Sequence, residues 1–248
     1  MSLPLFKMFI KKNWMILVGF TLFLLFELLA CVLMMDMIGE MGFLGIEGGD
    51  GTLYYMSTVM PLLGFMFPMV FYIFIVYRII HRPIDSTSMS PILASGVKRT
   101  TYIITAAVFL IVSLVVMFTV MFGVIGASML YHGAFNWGKW AVMCLCVLLA
   151  TMTVAFISFF FASAFAPSNI GKLGMIGLPV LFLVLTMIGF QVGSDIFMYM
   201  APFGWIDMTK YVLGTFKLWW LWNLIFVAII SILITASIIL FKRKQLTI

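Results

Sequence analysis

The sequence predicts an all-α integral membrane protein with six transmembrane helices, and three observations carry that reading. First, the 248 residues are 65% hydrophobic and only 9% charged, with a mean hydropathy of +1.25. A soluble domain of this size needs roughly a quarter of its surface charged, so this composition requires lipid as the solvent. Second, six apolar runs reach the roughly 20 residues needed to cross a ~30 Å hydrocarbon core. Third, no series of short alternating strands competes with them, which argues for a helical bundle over a barrel.

In chain order, the opening SLPLFKMFIKKNW sets Leu5, Phe6, Phe9 and Ile10 on one helical face and Lys7 and Lys11 on another. That pattern predicts a short amphipathic helix lying in the inner interface, with Lys12 and Trp14 as anchors. The first span is read as Trp14–Met35. Its apolar run is too long for a signal peptide and ends in Met-Met-Asp without a small-x-small cleavage site. The connection DMIGEMGFLGIEGGDGTLYYM follows, rich in glycine and acid. Its GGDG lacks the spaced acids and closing glutamate of an EF-hand, and Glu47 stands where a G-x-G-D aspartyl protease motif needs glycine, so a plain loop is expected.

The second span is Ser57–Tyr77, the third Tyr102–Leu130 (long enough to tilt), the fourth Trp140–Ala166, the fifth Leu173–Val192 and the sixth Trp219–Phe241. Between the last two lies GSDIFMYMAPFGWIDMTKYVLGTFKLWW. It is too apolar for a water-exposed loop and too broken by Pro202 and Gly204 to cross the bilayer. With Phe197, Tyr199, Phe203, Trp205 and Tyr211 it predicts an outer re-entrant or interfacial helical pair, marked by Pro202, Phe203 and Trp205. No linker, tandem repeat or low-complexity stretch interrupts the chain, so residues 1–248 read as a single transmembrane domain.

Orientation follows from the cations. Lys7, Lys11, Lys12, Arg78, Arg82, Lys98, Arg99, Lys172, Lys242, Arg243 and Lys244 put eleven of the 14 basic residues on one side. Only Lys139, Lys210 and Lys217 fall on the other. Six spans with both termini cytoplasmic are therefore expected. The net charge of +6 is a topology signal rather than a surface for nucleic acid.

The chemistry of known membrane enzymes is missing from the sequence. There is no H-E-x-x-H, no G-x-S-x-G and no pair of intramembrane aspartates. His81 and His132 fall at opposite faces, and Cys144-x-Cys146 without a nearby histidine reads as packing. The pair Gly171-Lys172 is followed by leucine and lacks the leading glycine of a P-loop. If the chain works against a gradient, either an ion drives it or another chain brings the ATP. Glu27 is the one acid clearly inside a span. Two readings stand for it: a contact in a substrate path, or a carboxyl that is protonated or hydrogen-bonded between helices.

The stretch DSTSMSPILASGVKRTTYI, from Asp85 to Ile103, leads from the second span into the third. Ser90 can cap a helix that starts at Pro91, and Gly96 is a natural stop. Met89, Ile92, Leu93 and Val97 recur at helical spacing. Physics leaves two destinations for that apolar side: a groove on another protein, or the bilayer surface.

The order Asp85-Ser86-Thr87, Ile92-Leu93-Ala94-Ser95 and Val97-Lys98-Arg99 before a long span resembles the type-2 ABC exporter permeases. In that family a charged residue and Gly-Thr lead into a Leu-Leu-Ser-like run, then Pro-Val-Ser-Arg and the third span. Here Ser86 stands where glycine is common, and Gly96 lies near where proline is usual. The basic amphipathic start, the Ala201-Pro202-Phe203 region and the ending Phe241-Lys242-Arg243-Lys244-Gln245-Leu246 are also similar.

The resemblance implies a permease subunit rather than an enzyme. Its cytoplasmic coupling helix after the second span would use Asp85, Ser86, Thr87, Met89, Ile92, Leu93 and Arg99 to dock an ABC ATP-binding subunit. Ser168, Asn169 and Lys172 would make a second cytoplasmic contact. Two copies of that ATPase would hold ATP and magnesium, with no cofactor on this chain, and a second permease, identical or a sister, would complete the pore. Among small members the chain most resembles exporter and immunity permeases of the phenol-soluble modulin and lantibiotic or bacitracin type. That implies amphipathic or antimicrobial-type peptides as cargo, moved outward across a bacterial cytoplasmic membrane. The competing expectation is an ion-coupled carrier or channel acting without an ATPase.

Overall fold

The computed structural model describes residues 2–40, 49–85, 97–131, 136–193 and 195–243. Span 1 is the helix Leu3–Glu40. Span 2 is Gly49–Val76, prolonged by a π-helix at Tyr77–His81 and a last turn at Arg82–Asp85. Span 3 is Arg99–Tyr131, span 4 Trp137–Phe165, span 5 Asn169–Val192 and span 6 Trp219–Arg243. Among the described residues there is no strand, and six helices are long and apolar enough to cross a membrane. The chain is a multi-pass membrane protein.

Span 4 is the central post. About it pack spans 2, 3, 5 and 6, while span 1 lies outside, against spans 2 and 3. Of the apolar stretch of span 4, 72% is buried, against 22% for spans 1 and 6. Small buried residues make this possible: Ala150, Ala155, Ser158 and Ala162 let neighbouring backbones come close. Its hydroxyls mostly turn back into their own helix, Thr151 donating to the Val147 carbonyl at 2.7 Å and Ser163 to Phe160 at 3.0 Å.

Two buried hydroxyls, Tyr72 on span 2 and Ser158 on span 4, have no hydrogen-bond partner among the described residues. An unsatisfied buried group carries its full desolvation penalty. Tyr72→Phe is therefore expected to leave stability unchanged or to raise it by about 1 kcal/mol. Equilibrium unfolding in mixed micelles measures this, and a clear loss of stability would mean the phenol has a partner in the working protein.

The beginning of the chain differs from its expected form. Leu3–Glu40 is one continuous helix, with no separate interfacial helix before span 1. Nothing between Ile10 and Trp14 breaks it. Asn13 is buried and donates its side-chain amide to the Phe9 carbonyl at 2.8 Å, inside the helix, instead of capping a new one. Most of the apolar face meant for the bilayer packs on protein, with Ile10 left exposed. Leu5 and Phe9 are buried, and the rings of Phe6 and Phe9 meet Phe109 of span 3 edge-on at 6.1 and 5.9 Å. The Ser2 amide donates to the Thr105 hydroxyl at 3.1 Å.

Between spans 5 and 6 the chain forms three short pieces: Asp195–Tyr199, a 3-10 turn at Pro202–Trp205, and Met208–Val212. The first packs on span 5, and the other two on spans 2, 4 and 6. The Phe203 ring sits 3.7 Å from that of Phe65, and Trp205 stacks on Phe226 at 5.5 Å while donating its indole N–H to the Tyr199 carbonyl. Gly204 is required here, because a Cβ would lie 2.0 Å from the Met198 carbonyl oxygen. At the far end Lys139 reaches from the start of span 4 to the Val212 carbonyl, 3.1 Å away.

Candidate functional site

Span 2 ends in Ile79-Ile80-His81-Arg82-Pro83. Proline has no N–H, so Pro83 offers nothing to the carbonyl four residues earlier, that of Ile79, and its ring crowds that oxygen. The chain answers twice. The helix widens into the π turn at Tyr77–His81, with the Arg82 N–H donating to the Tyr77 carbonyl. The orphaned Ile79 carbonyl then accepts the phenol O–H of Tyr102, from span 3, at 2.5 Å. Tyr102 is itself buried and held edge-on by Phe9 of span 1, 5.7 Å away. Three spans are thus tied together where span 2 leaves the bundle and span 3 enters it. Residues 86–96 run between those two points.

This junction bears on the residues singled out for docking. Asp85 is the last residue of the Arg82–Asp85 turn, and Arg99 opens the helix of span 3. Ser86, Thr87, Met89, Ile92 and Leu93 lie outside the described residues. The alternation of six spans puts the turn between spans 4 and 5 at the same end. There Ser168 and Asn169 are exposed and Lys172 is half-buried. Ser168 has structural work of its own: it caps span 5 by accepting from the Gly171 N–H at 3.3 Å, while its hydroxyl donates to the Phe165 carbonyl. Pro202, Phe203 and Trp205 sit at the opposite end, in the three-piece cap.

Pro83 and Tyr102 were not among the residues the sequence reading selected. The signal was a proline one turn beyond an apolar helical position, with a tyrosine opening the next span. Only the fold shows that the two meet.

Glu27 stands on span 1, one turn beyond Phe23, and is half-buried. Among the described residues it makes no hydrogen bond or ion pair. A charge held near mid-membrane costs ~2.5–3.5 kcal/mol on insertion scales unless something neutralises it. Next to it a groove of about 500 Å³ opens between spans 1 and 2, lined by Ile16, Gly19, Phe20, Phe23 and Phe74. Two of its lining residues also pair with rings of span 2, Phe20 with Phe71 at 5.8 Å and Phe23 with Phe67 at 4.9 Å.

Cys144 and Cys146 are buried in span 4, and the Asn223 amide of span 6 donates to the Cys146 sulfur at 3.4 Å. Among the described residues no three of His, Cys, Asp and Glu gather closely enough to hold a metal ion. The chain matches no protein-family model, no curated protein and no solved structure.

Proposed function

We propose that the chain is the membrane-spanning permease subunit of a bacterial ABC exporter, moving amphipathic peptides outward on ATP hydrolysed by a separate subunit. The observation that carries this reading is the sequence pattern from Asp85 to Arg99, a serine before proline, apolar residues at helical spacing and a basic exit, set between spans 2 and 3. The tie between Tyr102 and Ile79 supports it physically. A push on residues 86–96 reaches a rigid point shared by three spans, and a motor shifts only states that it contacts differently. The cap between spans 5 and 6 acts as the outer re-entrant region in this reading, and Ser168, Asn169 and Lys172 as a second contact for the motor.

Purification from native membranes tests the assignment. A P-loop ATPase should co-purify with the chain, and reconstituted transport should stop when ATP is withheld. Transport that runs on an ion gradient without ATP would establish the second reading, an ion-coupled carrier, which an acid inside a span, Glu27, favours.

The proposal also places the protein in the cytoplasmic membrane with both termini inside. With the native cysteines replaced, a membrane-impermeant thiol reagent added from outside should label Gly49→Cys and miss Thr247→Cys. The reverse pattern would put residues 86–96 outside and remove any contact with a cytoplasmic ATPase.

A further inference from the structure

We propose that the groove between spans 1 and 2, together with Glu27, is a docking site for a cationic amphipathic peptide that reaches it sideways from the bilayer. That the bound peptide is cargo rests on the exporter reading above; the docking itself belongs to this chain alone.

The shape comes first. Ile16, Phe20, Phe23 and Glu27 recur at helical spacing, so all four stand on one face of span 1, three apolar residues followed by one acid. The groove of about 500 Å³ falls within the roughly 300–1,000 Å³ of ordinary ligand sites. Gly19 opens it: a Cβ there would meet nothing within 4 Å. Phe23 and Phe74 remain 48% and 47% exposed, so the walls are available from the lipid side.

The charge selects the occupant. Bilayer lipids carry their charges at headgroup level, so an acyl chain fills the groove and leaves Glu27 unneutralised. A second copy of this chain has the same shortcoming, because its basic residues stand at helix ends. Lys12, for example, is about four turns, roughly 22 Å, from Glu27 along span 1. An amphipathic helix with apolar anchors at i, i+3 or i+4 and i+7 and a lysine one turn beyond supplies both complements at once. Its apolar side chains enter beside Phe20, Phe23 and Phe74, and its ammonium meets the Glu27 carboxylate.

The test uses the permease alone in phosphatidylcholine nanodiscs, with no ATPase and no ATP. The probes are a fluorescent Leu/Lys amphipathic helix and its Leu/Glu twin, each corrected for binding to empty nanodiscs. The cationic helix should bind and the acidic twin should not. Glu27→Gln and Gly19→Leu, the second filling the groove, should each weaken the cationic helix roughly tenfold or more. Gly123→Leu, which also adds a side chain in open space but on span 3, should leave binding unchanged. Equal binding of the two helices, or no effect of either groove variant, would overturn the site and leave the groove to lipid. Loss of a dimer in the groove variants, seen as a change in particle mass, would assign the groove to a second copy and overturn it too. The exporter reading fails separately: binding with these specificities but no ATP-dependent export sinks the motor and keeps the site. Recovery of the ATPase without peptide binding does the opposite.

Discussion

Replacing Ile92 and Leu93 together by aspartate is expected to release the ATP-binding subunit and to abolish export. In the proposed complex these two side chains enter a groove on the motor. Apolar anchors of that kind usually carry most of an interface's energy, each worth ~2 kcal/mol or more. Losing both removes about 4 kcal/mol, which weakens association roughly a thousandfold. The carboxylates add a desolvation penalty in the same place. Insertion should be unaffected, since the segment lies outside every span. A pull-down of the ATPase from detergent, with wild-type and doubly substituted permease at equal expression, decides the matter. Equal recovery would mean that the segment rests on lipid and that the motor, if there is one, grips elsewhere.

Tyr102→Phe is expected to lower stability by about 1–3 kcal/mol, because it strands the buried Ile79 carbonyl. The reason is specific enough to be tested by rescue. Pro83→Ala restores a backbone N–H one turn beyond Ile79, so in that background the same loss of the phenol oxygen should cost less than roughly 1 kcal/mol. The double-mutant cycle is read by equilibrium unfolding in mixed micelles. An equal loss in both backgrounds would show that Tyr102 does not stand in for the missing N–H. In the exporter reading the same substitution should also loosen ATP hydrolysis from transport. The hydroxyl joins span 3 to the exit of span 2, through which the motor's motion has to pass.

How much of this could be read from the chain differs from region to region. The six spans and their order were legible because hydropathy is a local property, summed over runs of about 20 residues that hold whatever their neighbours do. Their interiors agree with the structure, although most of the helices extend further: the expected Trp14–Met35 is part of Leu3–Glu40 and Tyr102–Leu130 is part of Arg99–Tyr131, while span 4 begins earlier, at Trp137, and stops at Phe165, one residue short of the expected Ala166. The amphipathic start was legible as a pattern but not as a place. Leu5, Phe6 and Phe9 form an apolar stripe whether it faces lipid or protein, and only span 3 alongside, with Phe109 and Tyr102, settled that it faces protein.

By itself, then, the sequence determined that lipid is the solvent and how many times the chain is long enough to cross it. Tertiary structure alone decided what those spans make together. The phenol of Tyr102 meets a carbonyl that Pro83 orphaned 23 residues earlier in the chain. Gly204 lies against the Met198 carbonyl too closely for any side chain. Phe20 and Phe23 of span 1 pair with Phe71 and Phe67 of span 2 beside the groove that Phe74 also lines. Each depends on contacts between residues distant in sequence or on backbone geometry, neither of which a local pattern of apolar and polar residues records.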